Sequence, residues 1–190
     1  MASIQAARAI PGTSHPRPSI RLFDSKNKIG AKILISGGTR CNVTNAEVKA
    51  SDYCGGARHF IRHVFEAFTP DEAIRFFKEI GVELALEPSG KYFPVTGSGR
   101  TVLEALSREV EIAGVVLEKP FSVREVRPIA DLLECRGLAG EAPEKETMFL
   151  ARRLILCTGG LSLPETGSNG AGLEIARKLG HTIVPTAPAL

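Results

Sequence analysis

A chain of 190 residues and 20.3 kDa is long enough to bury the core of one compact domain. With 43% apolar and 24% charged residues it falls outside the disordered, collagenous, coiled-coil and disulfide-scaffold classes. The net charge of +3 supplies no field strong enough to argue for nucleic acid or an anionic membrane as partner.

Met1 to Ala9 reads as a short Ala-rich helix without a start signal, as if it continued something upstream. A breaker stretch from Pro11 to Pro18 follows, then a strand over Ser19 to Phe23 that ends at Asp24. Residues 1 to 23, rich in Arg, Ser and Ala and free of acids, have the composition of a transit peptide, while Met1 to Arg8 also suits the tail of a helix. An apolar stretch, Ile29 to Ile35, runs into a Gly-rich polar loop, Ser36 to Asn45. Two helices are expected next. His59 to Phe68 places Phe60, Val64 and Phe68 on one face; Pro70 to Ile80 opens with Thr69 as cap and turns Ile74, Phe77 and Ile80 inward. Gly81 stops that helix, Val82 to Leu86 alternates as a strand, Ser89-Gly90 turns, and Tyr92 to Val95 is extended. Thr101 to Val110 predicts a helix packed through Val102, Leu106 and Val110, and Val115 to Leu117 and Phe121 to Val126 predict strands. Arg136 to Lys145 reads as a polar Gly/Pro-bearing loop or hairpin end, and Leu154 to Cys157 as a short buried strand running into Thr158-Gly159-Gly160. The second Gly-rich loop, Gly167 to Gly172, launches a helix to Leu179 that Gly180 ends. The apolar finish from Ile183 to Leu190 is of a kind ordinarily tied into further structure.

Cys41, Cys54, Cys135 and Cys157 form no CxxC pair and no metal-finger spacing, so reduced thiols in a cytoplasmic setting are expected. His59 and His63 are four apart, but Phe60, Ile61 and Arg62 lie between them, so the glutamate of a zinc-protease motif is missing and no metal is expected. No run of 18 apolar residues is present, which argues against a membrane span.

The two Gly-rich loops suit phosphate, because glycine lets backbone N–H groups approach an anion closely. The Ser36 to Asn45 loop adds Arg40, a fixed cation, with Asn42 and Thr44, within a few residues of Lys32. A capped surface turn is the competing reading. Beside Arg40, the Cys41 thiol has either a packing or cofactor-lining role or, if a base partner exists, that of a nucleophile. Asp24, at a strand end, stands where a nucleotide-binding fold offers a carboxylate to a ribose hydroxyl, yet the glycine fingerprint that should precede it is not in the chain.

Lys32-Ile33-Leu34-Ile35-Ser36-Gly37-Gly38-Thr39-Arg40-Cys41-Asn42-Val43-Thr44-Asn45 resembles the signature KLLISGGGRCNVTN of the BaiN-like (aminoacetone oxidase-like) flavoprotein family, one of the two-dinucleotide-binding-domain flavoproteins. Gly90 to Val95 resembles that family's G-R-x-F-P segment, and Leu156 to Gly172 its ATGG-S-x-P-x-TGS-x-G-D-G stretch. The resemblance implies an α/β fold, an incomplete Rossmann-like FAD-binding domain over residues 1–190, and flavin-linked redox activity with NAD(P)H as a possible reductant. It further implies that Asp24 meets the adenosine ribose, though the family generally has Glu there. Lys32, Ser36, Gly37, Gly38, Arg40, Cys41 and Asn42 would lie along the pyrophosphate and flavin, Val123 at the adenine, and Thr158, Gly159 and Gly160 over the cofactor. Thr39 replaces a family glycine and Ala171 an aspartate. The family's first strand, glycine fingerprint, inserted substrate domain and C-terminal FAD-contacting segment have no counterpart here.

The leading expectation is therefore a central part of an FAD-dependent oxidoreductase acting on a small molecule, with no nucleic acid or membrane partner. A non-catalytic remnant or partner-binding module without FAD is the alternative, and a mononucleotide module built on the Gly167 to Gly172 helix start a third.

Overall fold

The computed structural model describes residues 1–12, 16 and 18–186. The middle of the breaker stretch and the last four residues of the apolar finish lie outside it. In chain order the helices are α1 (Ala2–Arg8), α2 (Ala31–Ile35), α3 (Arg58–Ala67), α4 (Pro70–Glu79), α5 (Gly99–Ile112) and α6 (Ala171–Lys178). The strands are β1 (Arg21–Phe23), β2 (Thr44–Asn45), β3 (Leu84–Leu86), β4 (Lys91–Pro94), β5 (Val116–Glu118), β6 (Phe121–Ile129), β7 (Leu132–Ala139) and β8 (Lys145–Ala151). The chain divides into two compact units, residues 1–29 with 110–190 and residues 30–109.

The first unit combines a parallel pair, β1 with β5, and an antiparallel sheet in the order β6-β7-β8. Arg21 pairs with Val116 and Phe23 with Glu118, and an Arg21–Glu118 ion pair crosses the ladder. The rings of Phe23, Phe121 and Phe149 cluster with centroids 4.7 to 5.3 Å apart, joining β1, β6 and β8 behind Asp24. On the antiparallel sheet Val126 and Cys135 pack with Ile175 of α6.

Two expectations in this unit are corrected. Arg136 to Ala139 belongs to β7 and Lys145 opens β8, so the loop is only the turn between them. Gly137, which reads as punctuation, is a packing requirement: a Cβ there would sit 2.4 Å from the Ser122 carbonyl oxygen and 2.7 Å from the Phe121 ring. Leu154 to Cys157 is neither a strand nor buried, with Ile155 60% and Leu156 40% exposed. Its composition suits a central parallel strand, but among the described residues no neighbour supplies the ladder such a strand needs.

The second unit holds an antiparallel sheet in the order β2-β4-β3 with α2 to α4 and most of α5. Thr69 caps α4 as expected, its hydroxyl accepting from the Glu72 amide while the Glu72 carboxylate accepts from the Thr69 amide at 2.6 Å. Phe76, Phe77 and Ile80 are buried, and α5 adds Val102 and Ala105. The face of α3 formed by Phe60 and Val64 is open to solvent, since the helix packs through Phe65 on Tyr53, ring centroids 4.9 Å apart. Among the described residues the strands of both units form three small sheets. No helix among the described residues is long and apolar enough to cross a membrane.

Candidate functional site

The signature loop is framed within the second unit. Ser36 leaves α2 extended, its amide donating to the Lys32 carbonyl at 3.0 Å and its hydroxyl to the Ile33 carbonyl at 3.1 Å. Gly37, Gly38, Thr39 and Cys41 then all adopt positive φ, at 55°, 66°, 72° and 64°. Glycine takes this region freely, whereas the two others carry strain. Two backbone bonds hold the loop, Cys41 N–H to Ser36 O at 2.9 Å and Gly99 N–H to Thr39 O at 2.8 Å. A Cβ on Gly99 would meet the Ile33 and Thr39 carbonyl oxygens at 2.8 and 3.0 Å, so only glycine lets α5 start this close.

Side chains complete the frame. Arg40 lies over the Phe93 ring, 4.0 Å from its centroid, and pairs with Glu87 at 2.5 Å. Cys41 is buried with its Cβ facing Gly99. Among the described residues the amides of Gly37, Gly38, Thr39 and Arg40 donate no backbone hydrogen bond, and Asn42 Oδ1 is buried with no partner. A buried acceptor left unsatisfied costs about 1 to 3 kcal/mol. Lys32 is exposed on α2, one turn before the loop.

Three more loops meet in the first unit. Asp24 follows β1; its amide bonds the Glu118 carbonyl, its carbonyl accepts from Phe121 N–H at 2.8 Å, and its Oδ1 accepts from the Lys26 amide at 2.8 Å. The next residue, Ser25, faces Gly167, whose Cβ position is 3.6 Å from the Ser25 hydroxyl. Ser168 is buried against Gly159, and Thr158 occupies the space of a Cβ on Gly172, 1.9 Å from its hydroxyl oxygen. Residues 24–25, 158–160 and 167–172 therefore form one cluster at the C-terminal end of β1, where an α/β sheet places ligands. Gly160 is exposed beside it. Val123 lies on β6 opposite Gly137, half-buried, just before a bulge. Glu87 and Gly99 escape a reading of the sequence, because neither a lone acid in a turn nor a helix-initial glycine carries a local signal.

A dinucleotide needs phosphate donors and acceptors for its hydroxyl and ring N–H groups. The second unit by itself fits part of that requirement: its loop offers amides that donate no backbone hydrogen bond among the described residues, beside a buried acceptor left without a partner among them.

The HI0933-like protein Rossmann domain matches residues 1–188. The chain belongs to this family. Over all 190 residues it is 33% identical to the 3-dehydro-bile acid delta(4,6)-reductase of Clostridium scindens, covering 43% of that protein. It is 30% identical over 172 residues to the ribosomal RNA dihydrouridine synthase of Haemophilus influenzae, covering 90% of this chain and 42% of the relative. With the protein of that name from Escherichia coli it shares 30% over 173 residues, 90% of this chain and 41% of the relative. The chain thus spans less than half the length of the curated relatives it matches. The HI0933-like match and the reductase relative bear out the α/β Rossmann-like fold and the family resemblance that the signature loop carries.

Proposed function

We propose that this HI0933-like chain is the FAD-holding central part of a flavin-dependent oxidoreductase that takes electrons from NAD(P)H and reduces a small molecule in the cytoplasm. The observation that carries the reading is the buried Asn42 Oδ1, without a partner among the described residues, in a loop whose neighbouring amides donate no backbone hydrogen bond among them, because native folds seldom leave buried polar groups unsatisfied and a ligand at this loop would satisfy them. Bound flavin would supply two-electron hydride chemistry; the protein's part is to hold and orient it. Within the second unit, Asn42 would accept from a donor on the cofactor and the Gly37 to Arg40 backbone would donate to it. The 33% identity to a bile-acid reductase over all 190 residues of this chain, 43% of that protein, supports a small-molecule substrate.

A second reading, a fold-retaining module without flavin, is favoured by one fact: no G-x-G-x-x-G occurs anywhere in the chain, and that motif supplies much of the pyrophosphate affinity. The visible spectrum of the purified chain, desalted after incubation with excess FAD, separates the two. A retained flavin band that is lost in Asn42→Ala is expected. A colourless chain with unchanged far-ultraviolet circular dichroism would overturn the flavin reading and leave the module.

A further inference from the structure

Glu87 and Phe93 lie outside the signature loop, yet both hold it through Arg40. Glu87 is pinned in the turn between β3 and β4, its amide donating to the Lys91 carbonyl at 2.9 Å and its carbonyl accepting from Gly90 N–H at 2.9 Å. Its carboxylate meets Arg40 Nη1 at 2.5 Å. Phe93, 5% exposed on β4, touches the loop twice: the Arg40 guanidinium lies 4.0 Å over its centroid, and a Cβ on Gly37 would be 2.8 Å from its ring. The planar guanidinium suits this double duty, since it stacks on a ring face and pairs with a carboxylate at once.

The loop needs such support. Four of the five residues from Gly37 to Cys41 sit at positive φ, two of them non-glycine, and strain of this kind persists only where the surroundings over-determine it. Among the described residues two backbone hydrogen bonds hold the segment. We infer that Glu87 is a positioning residue, which clamps Arg40 on Phe93 and so keeps the Gly37 to Asn42 backbone in the shape that meets the cofactor. This rests on the loop being a flavin site. Arg40 is then a strut of the loop. The opposite arrangement would make Glu87 a stand-in for phosphate that the cofactor must displace.

The 190-residue chain distinguishes them with Glu87→Ala and Glu87→Gln. In the cofactor-free protein, iodoacetamide labelling of Cys41, read by peptide mass spectrometry, reports opening of the loop, with buried Cys135 of the other unit as internal control. Glu87→Ala is expected to label Cys41 about fivefold faster, the scale of a partly exposed ion pair, with Cys135 unchanged. FAD affinity by flavin fluorescence should weaken by a similar factor, and Glu87→Gln, which keeps an acceptor for Arg40, should recover part of both. Unchanged Cys41 labelling in Glu87→Ala would overturn the clamp. Tighter FAD binding in either variant would overturn it too, in favour of the stand-in. A wild-type chain that takes up no FAD would fail the flavin reading, and the labelling result would still decide whether Glu87 holds the loop.

Discussion

Thr39 holds a φ of 72°, in the left-handed region that glycine takes freely. A β-branched residue in the left-handed region costs about 1 to 2 kcal/mol, partly offset by the greater chain entropy glycine would lose. Thr39→Gly is therefore expected to stabilise the chain by roughly 0.5 to 1 kcal/mol in urea unfolding. Gly99→Ala should do the reverse. Its methyl would press on two backbone carbonyl oxygens, at 2.8 and 3.0 Å, and overpacking against groups that cannot turn aside costs about 1 to 3 kcal/mol. Two carboxyls set an acid limb of stability. The amide and hydroxyl of Thr69 hold Glu72 below the usual carboxylate range, and the Arg136 guanidinium does the same for Glu134. Lowered in the folded state, both contribute above the unfolded value of about 4.3, and that contribution disappears as pH falls through the folded values. Unfolding midpoints taken from pH 7 down to 3 should fall, and fall less in Glu134→Gln. At this scale the sequence marks one loop as a candidate, because Arg40, Cys41 and Asn42 lie within one run. It was silent on Glu87, which reaches Arg40 only through a fold that brings positions 47 residues apart together.

Elements with local signals were legible. The Thr69, Pro70 and Glu72 pattern places α4 because all its determinants lie within one turn of the helix start. Gly180 likewise ends α6, at φ of 91°. The β7–β8 hairpin was not, for its strands mix charge with small residues: Glu134 is buried only because Arg136 pairs with it at 2.6 Å, and Gly137 makes room for the Phe121 ring. Gly137→Ala should therefore disrupt the β6–β7 ladder more than any change in the turn, and its unfolding midpoint should drop well below that of Gly140→Ala. Gly140 is no free site either, with φ of 87°, but nothing lies within 4 Å of a Cβ there. The run Leu154 to Cys157 misled in the other direction. Apolar character marks a strand only when another strand stands beside it, and composition carries no information about the neighbour.

Across the whole molecule the apolar surface is uneven. Ile155, Leu156, Leu161 and Val184 are exposed in the first unit, and Phe60 and Val64 in the second, a distribution associated with contact surfaces. The chain is expected to self-associate at micromolar concentration in light scattering, and Ile155→Lys with Leu156→Glu should reduce this without altering circular dichroism. The first unit is also discontinuous: β1 and its parallel partner β5 are separated by the entire second unit, with Arg21 facing Val116. On the ribosome, at about 5 to 20 residues per second, β1 emerges roughly 5 to 20 seconds before its partner exists. During that interval Leu22 and Phe23 lack the β5 strand they pair with, so the order of synthesis leaves an apolar strand edge unpaired while the residues of the second unit are being made.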